Sequence, residues 1–325
     1  MAVCGDILLH SGLWTQASRD GRNSGQRFDF GPMLSDLSPV VHAADLAIAH
    51  LETPVGTPSG PFSSYPTFKV PPQILPALRG AGFAGVSTAS NHSLDAGFGG
   101  ITRTIQTLQQ VGLRHAGTAV DAAHALQPTL FEVAGTTVAL LSYAYGFNGY
   151  RLPAGKPWAA NLIDVPTMLT AARRARAAGA GVVMVAVHAG TQYLQQPNTQ
   201  QQQVFAALTG SDDVDFVYGH HAHVVQPVSR INGKLVAYGL GNAVADQPYR
   251  GTRDGLLAQV RFAPTGGGRF RVESVTPVPT WMSTGTTRHW LDARRTAGRP
   301  PGLTGGLAAA ARSVTAAVRA SVPAH

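Results

Sequence analysis

The run Gly219-His220-His221-Ala222-His223 constrains this chain more than any other feature, because three imidazoles in five residues gain little from packing and are costly to bury unless something binds them. It follows the largely apolar run Val214-Asp215-Phe216-Val217-Tyr218, so it lies at the end of an expected strand. Metal ions are the usual partners of such clusters. Other ligand types also stand at the ends of apolar runs: Asp6 in Cys4-Gly5-Asp6-Ile7-Leu8-Leu9-His10, Glu52 in His50-Leu51-Glu52-Thr53-Pro54, the pair Asn91-His92, and His188. Together they read as one centre for two ions.

The apolar runs also set the architecture. Buried strands are expected over 3–9, 46–50, 85–88, 138–143, 182–188, 214–218, 235–238 and 256–262, most of them short and β-branched. Helical patterns fall over 32–42, 72–81, 98–111, 167–178 and 199–208. The alternation argues for an α/β fold, with antiparallel additions near 130–141 and 235–275 where strands follow one another through short turns. In such sheets ligand sites form beyond the carboxyl ends of the strands, which is where the candidate residues sit.

Composition bounds the partners. A chain of 325 residues, 44% hydrophobic, is long enough for one large α/β domain or two small ones. The net charge of +8 is uneven: from Arg250 onward lie 11 of the 25 Lys and Arg but only 3 of the 17 Asp and Glu. A basic end of this kind suits a polyanion or an anionic membrane surface, or is simply a solvated arginine-rich face. The balanced body lacks basic residues interleaved with aromatics, which argues against nucleic acid. The single cysteine, Cys4, excludes an internal disulfide framework. No apolar stretch of about 18 residues is present to span a membrane. No charged and then apolar leader precedes the first strand, so the expectation is a cytoplasmic protein or a trimmed start. After Arg288, Gly, Pro and Arg dominate, and 307–320 reads as an alanine-rich terminal helix. Residues 1–287 are therefore expected to form the main domain, and 288–325 a basic, loosely packed extension.

Two-metal hydrolysis needs oxygen ligands, neutral imidazoles and a carboxylate between ions about 3.5–4 Å apart. Glu52 is the candidate bridge; Asp6, with His223 and His10, fits the first ion, and Asn91, His188 and His221 fit the second. This mixed set suits Mn, Fe, Zn or Co rather than Ca or Mg. Such ions lower the pKa of a bound water from about 16 toward about 7. His92 is the candidate catalytic imidazole, placed to protonate a leaving oxygen. Asp95 would orient His92 or hold the start of the next helix. His220, opposite His221 in an extended segment, would lie behind the ligands or against substrate, and Asn242 and Asp246 could line the same mouth. Each residue alone has a plainer reading: Asp6 as a turn cap, Glu52 as a solvated loop carboxylate, Asn91 as a helix cap, His188 as a hydrogen-bonded strand-end histidine.

The blocks Gly5-Asp6-Ile7-Leu8-Leu9-His10, Leu51-Glu52-Thr53-Pro54, Ala89-Ser90-Asn91-His92-Ser93-Leu94-Asp95-Ala96-Gly97, His188-Ala189-Gly190, Gly219-His220-His221-Ala222-His223-Val224-Val225-Gln226-Pro227 and Gly239-Leu240-Gly241-Asn242 occur in the order of one family. Over residues 3–262 the chain resembles the CapA-type poly-γ-glutamate capsule biosynthesis proteins, which are similar to calcineurin-like metallophosphoesterases. The resemblance implies a four-layer α/β/β/α sandwich of two mixed sheets. It implies metal ligands at Asp6, Glu52, Asn91, His188, His221 and His223, with His92 as the catalytic imidazole. It also implies a place in the cell envelope, an anionic polymer or phosphoester substrate, and membrane components of capsule synthesis as partners. The chain departs from the pattern at Leu8, where phosphoesterases carry histidine and His10 is the nearest one here, and at Glu52, where many carry aspartate. It departs also at Ala189 and Gln192 in place of Trp and Glu, at Ala243 in place of Phe, and at His50 in place of Asn. Three functions are open: a phosphoester hydrolase using two divalent transition-metal ions, a non-catalytic polyanion-binding component of capsule assembly, and a metal-dependent γ-glutamyl amide hydrolase.

Overall fold

Residues 182–188 are apolar on both sides of the pleat until their last member, and the reason is that their strand is covered on both faces. Val182, Met184 and Ala186 point into one core while Val183, Val185 and Val187 point into another. The computed structural model describes residues 1–285, 287–320 and 322. It opens with β1 (Ala2–Leu8), β2 (Ala47–Leu51), β3 (Gly85–Ser87) and β4 (Arg114–Ala116), parallel neighbours in a first sheet. The second sheet follows: β5 (Thr129–Val133), β6 (Thr136–Ala144), β7 (Val182–His188), β8 (Phe216–His220), β9 (Val228–Ile231) and β10 (Lys234–Ala237). The chain then returns to the first sheet with β11 (Asn242–Ala245), β12 (Asp254–Gly266), β13 (Arg269–Met282) and β14 (Trp290–Asp292). The first sheet runs β14-β13-β12-β1-β2-β3-β4, with β11 also on β1; the second runs β5-β6-β7-β8-β10-β9. Both are mixed, since β12 and β13 pair antiparallel, as do β5 with β6 and β9 with β10.

Nine helices among the described residues fill the connections: α1 (Ser11–Ser24), α2 (Gly31–Leu34), α3 (Ser38–His42), α4 (Ile74–Gly80), α5 (Gly97–Gln110), α6 (Ala122–Leu126), α7 (Val165–Ala177), α8 (Thr199–Thr209) and α9 (Pro301–Arg319). Leu13, Met33, Val41 and Leu75 of α1 to α4 pack with Cys4 and Ala49 on the outer face of the first sheet. Met168 and Ala172 of α7 and Phe205 and Leu208 of α8 cover the outer face of the second. Val3, Ile48, Leu140, Met184 and Phe216 fill the space between the sheets. Helices, sheet, sheet, helices is the α/β/β/α sandwich expected of the family resemblance.

The differences from expectation have local causes. The helix expected over 32–42 splits into α2 and α3, because Pro39 has no N–H to bond the carbonyl four residues back. Helix α1 was not expected, since it buries only Leu13, Gln16, Ala17 and Gly21 along a polar segment. Strand β8 runs two residues further than expected, to His220. The described residues beyond 288 are not loosely packed: β14 pairs with β13, Trp290 is fully buried, and α9 starts at Pro301 rather than 307 and turns Val314 and Ala317 into the inter-sheet core. Glycines 302, 305 and 306 masked the helix start in the sequence.

Candidate metal centre

Strand register assembles the centre. In the first sheet Asp6 is paired with His50 on β2 and with Asn242 on β11; in the second, His188 ends β7 directly beside His220 at the end of β8. Glycine precedes two of these residues because a neighbouring backbone crosses there. A Cβ on Gly5 would stand 1.9 Å from the carbonyl oxygen of Gly241, and one on Gly219 would stand 2.0 Å from that of Tyr238. Beyond His220 the strand ends, and His221 (φ 84°) and His223 (φ 57°) adopt left-handed backbone. Such conformations cost about 1–3 kcal/mol each and persist where the surrounding structure over-determines them. They leave the rings of His220 and His223 against Asp6, while the ring of His221 lies beside those of Tyr145 and His188.

His220 Nδ1 lies 2.9 Å from Asp6 Oδ1, and His223 Nδ1 lies 3.1 Å from Asp6 Oδ2 and 3.0 Å from Asn242 Oδ1. The amide of His221 donates to Asp6 Oδ2 at 3.3 Å. Glu52 Oε1 is 3.8 Å from His223 Nε2 and 4.0 Å from His188 Nε2, which is itself 2.7 Å from Asn91 Oδ1. His50 bridges to the other sheet, with Nε2 2.9 Å from His188 Nδ1 and Nδ1 2.8 Å from Ser87 Oγ. Two sets of ligand atoms are close enough to share an ion: Asp6 with His50 and His220, and Asp6 with Glu52 and His223. All five residues are buried. A site of dinuclear type, with Asp6 common to both halves, is therefore built into the fold.

The donor set fits two divalent cations. Both carboxylate oxygens of Glu52, His220 Nε2 and His221 Nδ1 are buried without a hydrogen-bond partner. A buried carboxylate with neither oxygen satisfied is unfavourable unless a cation meets it. The protonation states of the metal-free site follow from the same contacts, and a cation would displace the proton of His223. Burial opposes the charge of Asp6, but hydrogen bonds and charge from His220 and His223 outweigh it and hold this carboxyl well below its usual range. Burial pushes Glu52 up to about 7 and keeps His50 and His188 well below the usual histidine range, leaving both imidazoles neutral. His221 falls to about 3 by burial and the nearby His223. His223 rises to about 9, because Glu52 and Asp6 override its burial.

Beside the cluster, His92 Nδ1 is 2.7 Å from Asp95 Oδ2, which also accepts the amide of Phe68 at 2.7 Å. Helix α5 starts at Gly97 with Ala96 in the cap position, so Asp95 orients His92 rather than holding the helix start. The Asn91 side-chain NH2 donates to Asn148 Oδ1 at 3.0 Å, which turns its oxygen toward His188.

Three expectations need correction. His10, like His188 and His221, belongs to neither ligand set, and unlike them it faces away from the cluster: β1 stops at Leu8, and at the start of α1 its ring turns to the carbonyl of Leu8 (3.1 Å) and to Phe68. His220 is among the ligand atoms and not behind them, since the extended geometry that would separate it from His221 ends at that residue. Asp6, and not Glu52, is the carboxylate common to both sets. His50 was noted in the sequence only as a departure from a family pattern; its place beside Asp6 depends on strand register, which the sequence does not display. Asp246 lies further out, paired with Arg288 at 3.0 Å.

Comparison with known proteins adds to this geometry. The family model described as "Bacterial capsule synthesis protein PGA_cap" matches residues 1–247. The PGA biosynthesis protein CapA of Bacillus subtilis (strain 168) is 26% identical over 287 residues, covering 85% of this chain and 72% of that protein. The capsule biosynthesis protein CapA of Bacillus anthracis is 27% identical over 198 residues, 60% of this chain and 48% of that protein. Among solved structures, the calcineurin-like phosphoesterase YfkN from Bacillus subtilis is similar in fold, with a TM-score of 0.52 at 12% identity over 98% of this chain and 99% of that one.

Proposed function

This chain belongs to the bacterial capsule synthesis protein PGA_cap family, and from that premise we propose that it hydrolyses phosphoester bonds with two divalent transition-metal ions. The observation that carries the reading is Glu52, buried within 4.0 Å of the imidazoles of His188 and His223 and grouped with Asp6, with both carboxylate oxygens lacking a hydrogen-bond partner. Asp6, His50, His220, Glu52 and His223 would hold the ions, with Asn91, His188 and His221 completing the second half. When bound, the ions supply Lewis acidity that makes water nucleophilic near neutral pH and neutralises phosphoryl oxygens.

The protein's own groups do the remaining work. Burial of the carboxylates keeps bulk water from screening their charge. Neutral His50 and His188 offer lone pairs instead of repelling a cation. Asp95 holds His92 through Nδ1, so Nε2 is the nitrogen left to hand a proton to the leaving oxygen. Asn148 fixes the Asn91 amide so that its oxygen faces inward.

The polyanion-binding alternative has less support, because much of the basic end is engaged in ion pairs: Arg288 with Asp246, Arg294 with Asp292, and Arg295 and Arg299 with Asp36. A place in the cell envelope and capsule-synthesis partners follow the family name alone. Among the described residues, no helix is long and apolar enough to cross a membrane.

Elemental analysis of purified protein should find two equivalents of Mn, Fe, Zn or Co per chain. The Mn-loaded protein should hydrolyse an aryl phosphodiester or monoester, and His92→Ala should abolish turnover with bound metal unchanged. Turnover that survives that substitution, or cleavage of polyglutamate with no action on esters, would sink the proposal.

A further inference from the structure

The metal centre is walled by exposed aromatic rings. The Tyr193 ring lies 6.2 Å from that of His223 and 4.5 Å from that of Tyr249, with the two tyrosine planes tilted by 39°. Tyr145 stands 4.6 Å from the ring of His221. These tyrosines keep 36%, 54% and 40% of their surface exposed, so their faces are open to a ligand.

Tyr193 is held at some cost. Its φ is 67°, a backbone conformation that bulky side chains seldom adopt, and its amide donates at 2.8 Å to the carbonyl of Ala222, between the two histidines. That bond fixes the histidine loop, but any residue except proline could make it, and glycine or asparagine would take the φ with less strain. The ring is the part of Tyr193 that the fold does not need.

We propose that Tyr193 and Tyr249, packed on one another with their outer faces open, stack a planar ring carried by the leaving group, with Tyr145 beside His221 as a further ring of the wall, so that the preferred substrates are phosphoesters of ring-bearing alcohols. The inference rests on the phosphoester reading above. A ring stacked on Tyr193 lies next to His223, which leaves its phosphoryl group to reach the carboxylate and imidazole cluster. Ring pairs are favourable at centroid separations of about 4.5–7 Å, the range in which these side chains already sit.

The test uses phosphonates, which carry ring and anion but no cleavable ester: benzylphosphonate and cyclohexylmethylphosphonate, close in size, one flat and one puckered. Titrated calorimetrically into Mn-loaded protein, the flat probe should bind about threefold to tenfold more tightly. Tyr193→Phe should keep this ratio. Tyr193→Leu and Tyr249→Leu, each confirmed as folded by thermal melting, should bring it to within about twofold of unity. Equal affinities in the parent protein, no binding of either probe, or a ratio that survives both leucine substitutions would overturn the inference. Turnover of benzyl phosphate is measured separately. A ring preference without turnover would sink the phosphoester reading and leave the aromatic grip standing; turnover with equal affinities would do the reverse.

Discussion

His50 and His220 lie ring on ring, their centroids 3.9 Å apart and their planes within 11° of parallel. One sits on β2 and the other ends β8, so the stack joins the two sheets at the centre of the site. Two imidazolium ions could not be held this way, and burial together with His220 keeps His50 neutral.

Removing this contact should empty the site in part. His50→Ala is expected to lower bound metal from two equivalents toward one after dialysis and to reduce phosphoesterase kcat by about 100-fold. Elemental analysis and steady-state kinetics on one preparation check both.

Glu52→Gln should change stability with opposite signs in the two metal states. Burial raises this carboxyl to about 7, so its stability contribution is lost as pH rises from the usual carboxylate range through 7. At pH 8 with chelator present, the variant should melt about 3 °C above the parent. With Mn in excess it should melt below it. Calorimetric scans in the two conditions decide the matter.

Asp95→Asn should separate the orientation of His92 from metal binding. The amide oxygen can still accept the Nδ1 proton, but the negative charge that supports a protonated ring is gone, so His92 is expected to be a poorer proton donor at Nε2. Turnover should fall about 100-fold or more with metal content unchanged, and the pH–rate profile should shift.

His115 should make the fold sensitive to acid away from the site. Its Nε2 is buried without a partner, and burial together with His124 holds the imidazole down to about 4. Below pH 6.5 the unfolded chain takes up a proton that the folded chain refuses, so stability is lost as pH falls toward 4. Relative to His115→Asn, the parent should lose up to about 3 kcal/mol across that window. Urea melts at pH 7.5, 5.5 and 4.5 measure the difference.

The sequence made some parts of this molecule legible and hid others, for physical reasons. Strand β7 was read to the residue, because both its faces are buried and its apolar run has no interruption before His188. Asp6, Glu52, Asn91, His188 and the histidine loop could be named as candidates because each lies late in, or just after, an apolar strand. His50 was harder: its partner lies in another strand, and pairing register is a tertiary property. His10 misled because nearness along the chain stood in for nearness in space, and the turn into α1 separates it from the ligands. The arrangement of His220, His221 and His223 depends on two left-handed residues that alternation along a strand cannot anticipate. Strand β14 was hidden by its three-residue length.

The last stretch of the polypeptide acts as a lid on the hydrophobic interior. Trp290 stacks on Phe83 in the core on the outer face of the first sheet, and Leu307 and Ala310 cover Trp281. A recombinant fragment stopped after residue 287 would bare these greasy surfaces to solvent, so expression trials should keep α9 whenever soluble material is wanted.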